Sequence, residues 1–155
     1  MKRSTIARTF TIAAVSALVL GITPAVNAAD KGCSIASLQG TFAYRGTGFV
    51  VTPVAFAGPF AEVGTQTFDG KGATTTTFTA SQNGNIFQAT FTGTYTVNPD
   101  CTGTFTLSNP DLGLTVPLFF VIDDNLNEFQ ALETLPGAVV TRIARKQFPK
   151  GDSRE

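Results

Sequence analysis

Three polar side chains that alternate with apolar residues are the strongest candidates for chemistry in this chain. Glu133 follows Phe129 and Ala131 at every second position, and Tyr44 and Tyr95 stand in similar apolar surroundings. A carboxylate on the inner face of a sheet must be paired, protonated or functional, because burying its charge alone is very costly. A buried Glu with phenols nearby binds the polar end of a ligand or moves a proton. We therefore take Glu133, Tyr44 and Tyr95 as catalytic candidates.

Arg145 is the cation that we expect to pair with Glu133. It shares one predicted strand face with Val139, Thr141 and Ile143, and this strand directly follows that of Glu133. Two interpretations stay open. The pair either holds the polar end of a bound molecule, or it is an ordinary ion pair at the rim of the fold.

Phenylalanine is abundant, with 14 in the chain against two Tyr and no Trp. On the predicted inner faces these rings either line an apolar ligand cavity or fill the core, since Phe forms cores wherever it occurs. The candidate ligand-binding residues are Phe42, Phe87, Phe91, Phe105, Phe120 and Phe129, together with Arg145.

The chain contains no histidine. This excludes Ser-His-Asp and Cys-His constellations, histidine general bases and nearly all zinc sites. The segment 123–128 superficially resembles a calcium loop, but it lacks the glycine and the distant glutamate of that pattern, so a tight turn explains it better. We expect no metal and no cofactor.

Cys33 and Cys101 are the only cysteines. In an exported chain two cysteines predict a disulfide, while free thiols or a metal pair are the alternatives. The bridge would close a loop of 68 residues. In the chain-entropy model such a loop stabilises the fold by about 4 kcal/mol.

The N-terminus predicts export. Lys2, Arg3 and Arg8 precede an uncharged apolar segment at 11–22, and small residues at 25–28 favour cleavage after Ala28. The alternative is a retained membrane anchor.

Cleavage leaves 127 residues, enough for one domain, with eight cations and eleven acids and hence a net charge of −3. Because the cations form no basic stripe, nucleic acid is not an expected partner. The predicted units are a signal peptide at 1–28, a domain at 29–147 and a polar tail at 148–155, which places the protein in the periplasm or outside the cell.

The domain reads almost entirely as β-strand after a short helical turn at 34–38. Thr, Val and Phe dominate, and turn signals recur every 10 to 17 residues. The predicted strands are 41–51, 60–68, 74–81, 85–97, 103–107, 115–122, 128–135 and 139–147. Short links favour antiparallel pairing of consecutive strands, and closure removes both sheet edges. We predict an eight-stranded antiparallel up-and-down β-barrel.

Two strands carry the clearest patterns. In 85–97, Phe87, Phe91 and Tyr95 fall on one face while Thr and Gln occupy the other, as expected for a barrel wall with a solvated exterior. In 115–122, apolar residues such as Phe119 and Val121 occupy the second face as well. That outer face is covered either by the N-terminal helical turn or by another copy of the chain in a homo-oligomer.

The order of several short motifs resembles a group of small exported bacterial proteins of mostly unassigned function. These motifs are Cys-Ser at 33–34, the segment 38–44, the turn 69–72 and the hairpin 93–104. The barrels of that group look like those of allene oxide cyclase and the dirigent proteins, within the calycin-like set. The resemblance implies binding of apolar or phenolic molecules in the barrel. The catalytic residues of those families do not match particular positions of this chain, so the resemblance implies none here.

Three functions follow as expectations. The first is a secreted, cofactor-free barrel that binds a small apolar or aromatic molecule in its lumen. The second is a cofactor-free isomerase or cyclase of the allene oxide cyclase type. The third is a structural envelope protein with a filled barrel, which a lumen below about 300 Å³ would favour.

Overall fold

The computed structural model describes residues 32–148. The predicted signal peptide and all but the first residue of the predicted tail lie outside this range. Short 3-10 helices are η1 (Ile35–Leu38), η2 (Val54–Phe56) and η3 (Pro110–Leu112). The strands are β1 (Gly40–Val50), β2 (Gly58–Phe68), β3 (Ala73–Gln82), β4 (Asn85–Val97), β5 (Thr102–Asn109), β6 (Leu114–Ile122), β7 (Glu128–Glu133) and β8 (Ala138–Lys146). No helix in the described range is long and apolar enough to cross a membrane.

The eight strands close into one antiparallel barrel. Each strand pairs with the next, and β8 returns to pair with β1, with Arg142 opposite Gly46. Closure satisfies the hydrogen-bonding groups that an open sheet exposes at its edges. The predicted eight-stranded up-and-down barrel is confirmed.

Turn chemistry sets the register of the hairpins. Asn83 and Gly84 both adopt positive φ, 47° and 84°, as a two-residue hairpin turn requires. Asp123 Oδ1 accepts hydrogen bonds from the backbone N–H groups of Asn127 (2.9 Å) and Glu128 (3.0 Å), so the acidic segment forms the turn between β6 and β7. Alternation then places every second side chain of a strand inside the barrel.

The N-terminal turn closes one end of the barrel. Leu38 of η1 is fully buried, and the Tyr95 hydroxyl donates a hydrogen bond to the carbonyl of Ile35 (2.9 Å). Cys33 and Cys101 form a disulfide with their Cα atoms 4.9 Å apart. Because Cys101 lies in the turn between β4 and β5, the bridge ties the chain across this end, and the predicted pairing is present.

Aromatic rings fill the half of the barrel next to this plug. The rings contact one another with centroids 5.3 to 6.2 Å apart, mostly in edge-to-face or tilted arrangements. The members of this cluster are Phe42, Phe68, Phe105, Phe120 and Phe129, all nearly inaccessible to solvent. These side chains therefore fill this half of the lumen.

The outer face of β6 is not covered by the helical turn. Phe119 is 41% exposed and Val121 is 48% exposed, whereas η1 packs at the barrel end, next to β4. Of the two alternatives for covering this face, the helical turn is wrong, because Leu38 is buried inside the barrel end. Pro117 occurs where the β6–β7 ladder stops. Its carbonyl accepts a hydrogen bond from Thr134 N (2.9 Å), and its nitrogen points to the same side, toward the end of β7, where the ladder stops.

Candidate functional site

The half of the barrel opposite the plug contains a cavity of about 640 Å³. It opens between the loops that hold η2 and η3 and the β7–β8 loop, and inward side chains from the strands form its walls. The wall is mostly apolar, with Val50, Phe60, Phe78, Phe87, Phe91, Leu107, Val116 and Val140 among its residues. The volume lies within the range of small-molecule sites, about 300 to 1,000 Å³.

A buried ion pair in the wall of this cavity spans β1, because Gly46 of that strand is paired with Glu62 on one side and with Arg142 on the other. Arg142 Nε of β8 lies 2.5 Å from Glu62 Oε1 of β2, and Arg142 Nη2 lies 3.4 Å from the other carboxylate oxygen. Both side chains are almost completely buried. Burial raises the pKa of the Glu62 carboxyl, while the charge of Arg142 opposes that rise. A permanently charged guanidinium in this place requires an anionic partner.

Tyr44 of β1 contacts both members of this pair. Its hydroxyl donates to Glu62 Oε2 (3.3 Å) and accepts from the Thr76 hydroxyl (3.1 Å). The Arg142 guanidinium lies over the Tyr44 ring, 4.9 Å from its centroid. Burial raises the pKa of the Tyr44 hydroxyl, which therefore stays protonated and acts as a donor. Gly46 makes room, since a Cβ atom there would come within 2.5 Å of Glu62 Oε1.

Glu133 is the second carboxylate of the cavity. It lies at the end of β7, its side chain is 10% exposed, and its Oε1 atom is 3.9 Å from Arg142 Nη2. Burial raises the pKa of Glu133 to about 7. The charge of Arg142 counteracts this rise, and that of Glu62 adds to it. An ionisable group with a pKa near neutrality in an apolar cavity is able to gain and lose a proton at physiological pH.

The aromatic residues expected to bind a ligand divide between the two halves of the barrel. Phe87 and Phe91 line the cavity, with Phe87 at the open end and 39% exposed. Phe42, Phe105, Phe120 and Phe129 belong to the filled half instead and do not line the cavity. Tyr95 also lies in the filled half, where it contacts Phe68 with ring centroids 4.9 Å apart. Tyr95 therefore does not share a site with Glu133.

The expected partner of Glu133 is wrong. Arg145 points outward, its side chain is 80% exposed, and it pairs with Glu128 at 2.6 Å. The inner face of β8 carries Val140, Arg142 and Ala144 instead. Both faces of this strand mix apolar and basic residues, so alternation alone did not decide which one faces the lumen.

Glu62, Arg142 and Thr76 were missed by sequence reasoning. Glu62 carries a usable signal, because it alternates along β2 with Phe60 and Phe68, as Glu133 does along β7. Arg142 carries no comparable signal. Among residues 32–148, no group of three or more His, Cys, Asp or Glu side chains is placed to hold a metal ion.

Comparisons with known proteins identify structures with a similar fold, but they assign the chain to no family. No family model and no curated protein matches the chain, so the resemblance to allene oxide cyclase and dirigent proteins gains no support. A solved structure of a redesigned β-barrel, mFAP1, bound to DFHBI has a TM-score of 0.52 and 18% identity over 73% of this chain and 98% of that chain. A second redesigned barrel, b11L5F_LGL, has a TM-score of 0.51 and 18% identity over 74% and 96%. Likeness at this level shows a shared barrel fold.

Proposed function

We propose that this protein is an exported β-barrel that binds one small apolar or aromatic molecule in the open half of its lumen, without a metal or cofactor. The observation that carries the proposal is an apolar cavity of about 640 Å³ with a buried polar cluster at its base. Ligand sites combine these two features, because apolar walls supply affinity and a few placed polar groups orient the ligand.

Two further observations support binding over a purely structural role. The cavity volume is about twice the 300 Å³ below which a filled barrel would be the better account. A redesigned barrel with the same fold is bound to the small molecule DFHBI. The disulfide supports export, since such bonds persist in oxidising compartments.

A matched pair of substitutions at the start of β8 tests the proposal. Ala138 lines the cavity, whereas the side chain of the next residue, Val139, lies on the outer face and is exposed. Ala138→Trp should fill the opening and weaken binding of the neutral probe N-phenyl-1-naphthylamine at least tenfold, while Val139→Trp should leave it unchanged. Probe fluorescence measures both affinities. Equal binding by the two variants, or no binding to the parent protein, would refute lumen binding.

The second candidate is a cofactor-free isomerase, and the near-neutral pKa of Glu133 favours it. A carboxyl that gains and loses its proton near pH 7 could take a proton from one carbon of a bound substrate and return it to another, while the cavity holds one conformer. In that case Glu133→Gln abolishes turnover and keeps the affinity for the neutral probe. A variant with unchanged turnover would remove this candidate.

A further inference from the structure

The charges that face the cavity do not balance. Among the described residues, the charged side chains that line it are Glu62 and Glu133, with Arg142 as the single cation. With both carboxylates ionised, the cavity carries one excess negative charge. No other described cation lies in its wall to offset this charge.

Arg142 is committed to Glu62 rather than to Glu133. Its Nε and Nη2 atoms lie 2.5 and 3.4 Å from the Glu62 oxygens, and its guanidinium stacks on Tyr44. The Nη1 atom has no hydrogen-bond partner and is fully buried, so a ligand in the cavity does not reach it. The guanidinium is therefore poorly placed to receive an anionic ligand.

Glu133 faces the cavity, and no described side chain forms a hydrogen bond with it. Its side chain is about nine-tenths buried, and the nearest basic nitrogen is 3.9 Å away, beyond hydrogen-bond distance. Buried carboxylates are normally paired or hydrogen-bonded, because an unpaired one loses its hydration without compensation. A proton, water or a donor brought by a ligand completes the hydrogen bonding of Glu133, and of these only a charged donor also offsets the excess negative charge.

The wall across the cavity from this carboxylate suits the apolar part of such a ligand, since β3 lies four strands from β7 in the closed barrel. Phe78 and Phe91 line the same cavity, with ring centroids 5.6 Å apart. Aromatic faces also attract an organic cation in addition to burying its hydrocarbon part.

We propose that the ligand of this cavity is an amphiphilic cation, with an aromatic or aliphatic body against the apolar wall and a protonated amine bound to the Glu133 carboxylate. This inference rests on the proposed lumen binding and adds the charge of the ligand. A hydrogen-bonded ion pair replaces the missing partner of Glu133 and neutralises the excess charge. The near-neutral pKa of Glu133 adds a pH dependence, since a cation binds the ionised carboxylate.

Three compounds of one size and shape separate the charge from the apolar contact. They are 1-naphthylmethylamine as the cation, 1-naphthalenemethanol as the neutral analogue and 1-naphthoate as the anion. Calorimetry at pH 8 should find the cation bound at least about tenfold more tightly than the alcohol, as expected for a hydrogen bond between charged groups. The anion should bind most weakly of the three.

Glu133→Gln should lower the affinity for the amine to that for the alcohol and leave the alcohol unaffected. Glu128→Gln is the matched control, because that carboxylate pairs with Arg145 outside the barrel. In the parent protein, amine affinity should fall as the pH drops from 8 to 5.5, as Glu133 takes up its proton in the presence of Glu62, Arg142 and Tyr44. The amine itself stays protonated over that range.

The outcomes distinguish this inference from the proposed function. Binding of the alcohol with no preference for the amine overturns the cation and keeps the lumen site. Tightest binding of 1-naphthoate overturns it in favour of an anionic ligand held by Arg142. If neither the three compounds nor the neutral probe binds, the lumen site fails as well. An amine preference that survives in Glu133→Gln assigns the charge to another group and overturns the inference.

Discussion

At the scale of single residues, two carboxylates share one guanidinium inside an apolar cavity. Arg142 contacts Glu62 at hydrogen-bond distance and Glu133 only at 3.9 Å. Buried ion pairs often contribute little net stability, because desolvation offsets the attraction between the charges. The second carboxylate has even less compensation. An arrangement that costs stability in the empty protein is typical of a binding or catalytic site.

Glu133→Gln is predicted to stabilise the empty protein at high pH. Burial raises the folded-state pKa of Glu133 to about 7 from 4.5, so folding favours the protonated form. Below pH 4.5 both states are protonated, and the parent protein bears no penalty. As the pH rises from 4.5 to 7, only the unfolded state loses its proton, which costs the folded state about 3 kcal/mol. The neutral amide avoids this cost.

Urea unfolding at pH 4.5 and pH 8 measures the effect. The stability difference between Glu133→Gln and the parent should grow in favour of the variant by about 3 kcal/mol over this interval. Glu128→Gln should show no such gain, because its carboxylate is paired with Arg145 outside the barrel. A loss of stability in Glu133→Gln at pH 8 would show instead that Glu133 is a structural ion-pair partner.

Sequence patterns identified one of the three charged residues in this cluster, Glu133, and missed Glu62 and Arg142. Glu133 was identified because it alternates with Phe129 and Ala131, whose hydrophobicity marks the inner face of β7. The cation nearest to Glu133 was expected on the wrong face of β8: Arg145 points outward, whereas Arg142 faces the lumen. A one-residue difference in register reverses every side chain of a strand, and β8 has no purely polar face to reveal it.

At the scale of elements, turn chemistry and alternation predicted all eight strands. Their ends differ by at most two residues from the observed ones, as in the predicted strand 103–107, which extends over Thr102–Asn109. Local rules suffice here, because hairpin turns and period-2 patterns depend on neighbouring residues. The position of η1 was not predictable in this way, since it depends on which cavity end has room for Leu38.

The disulfide is predicted to hold η1 in the barrel end. Removing it in Cys33→Ser/Cys101→Ser should lower the free energy of unfolding by about 2–5 kcal/mol, because the unfolded chain regains the freedom of a 68-residue loop. Chemical denaturation of the double variant, and of the parent protein with and without reductant, measures this loss. Identical unfolding midpoints in all of these samples would contradict a stabilising plug.

At the scale of the whole molecule, the barrel is divided into a filled and a hollow half. The five-ring Phe cluster and η1 occupy one half, while the other half holds about 640 Å³ of open volume above the charged cluster. The filled half supplies the hydrophobic core that a domain of this size needs. The hollow half is therefore free to be shaped for a ligand. The abundance of Phe predicted either a ligand cavity or a filled core. It did not show that both are present, one in each half of the barrel.

Methyl NMR of the protein titrated with N-phenyl-1-naphthylamine tests the hollow half most directly. Leu107, Val116 and Val140 supply methyl groups to the cavity wall. Leu38 reports on the plug, and Val121 reports on the exposed outer face. We expect saturable shifts of the three wall residues, with Leu38 and Val121 nearly unchanged. Shifts concentrated on Val121, or no shift of the wall methyl groups, would contradict a ligand site inside the barrel.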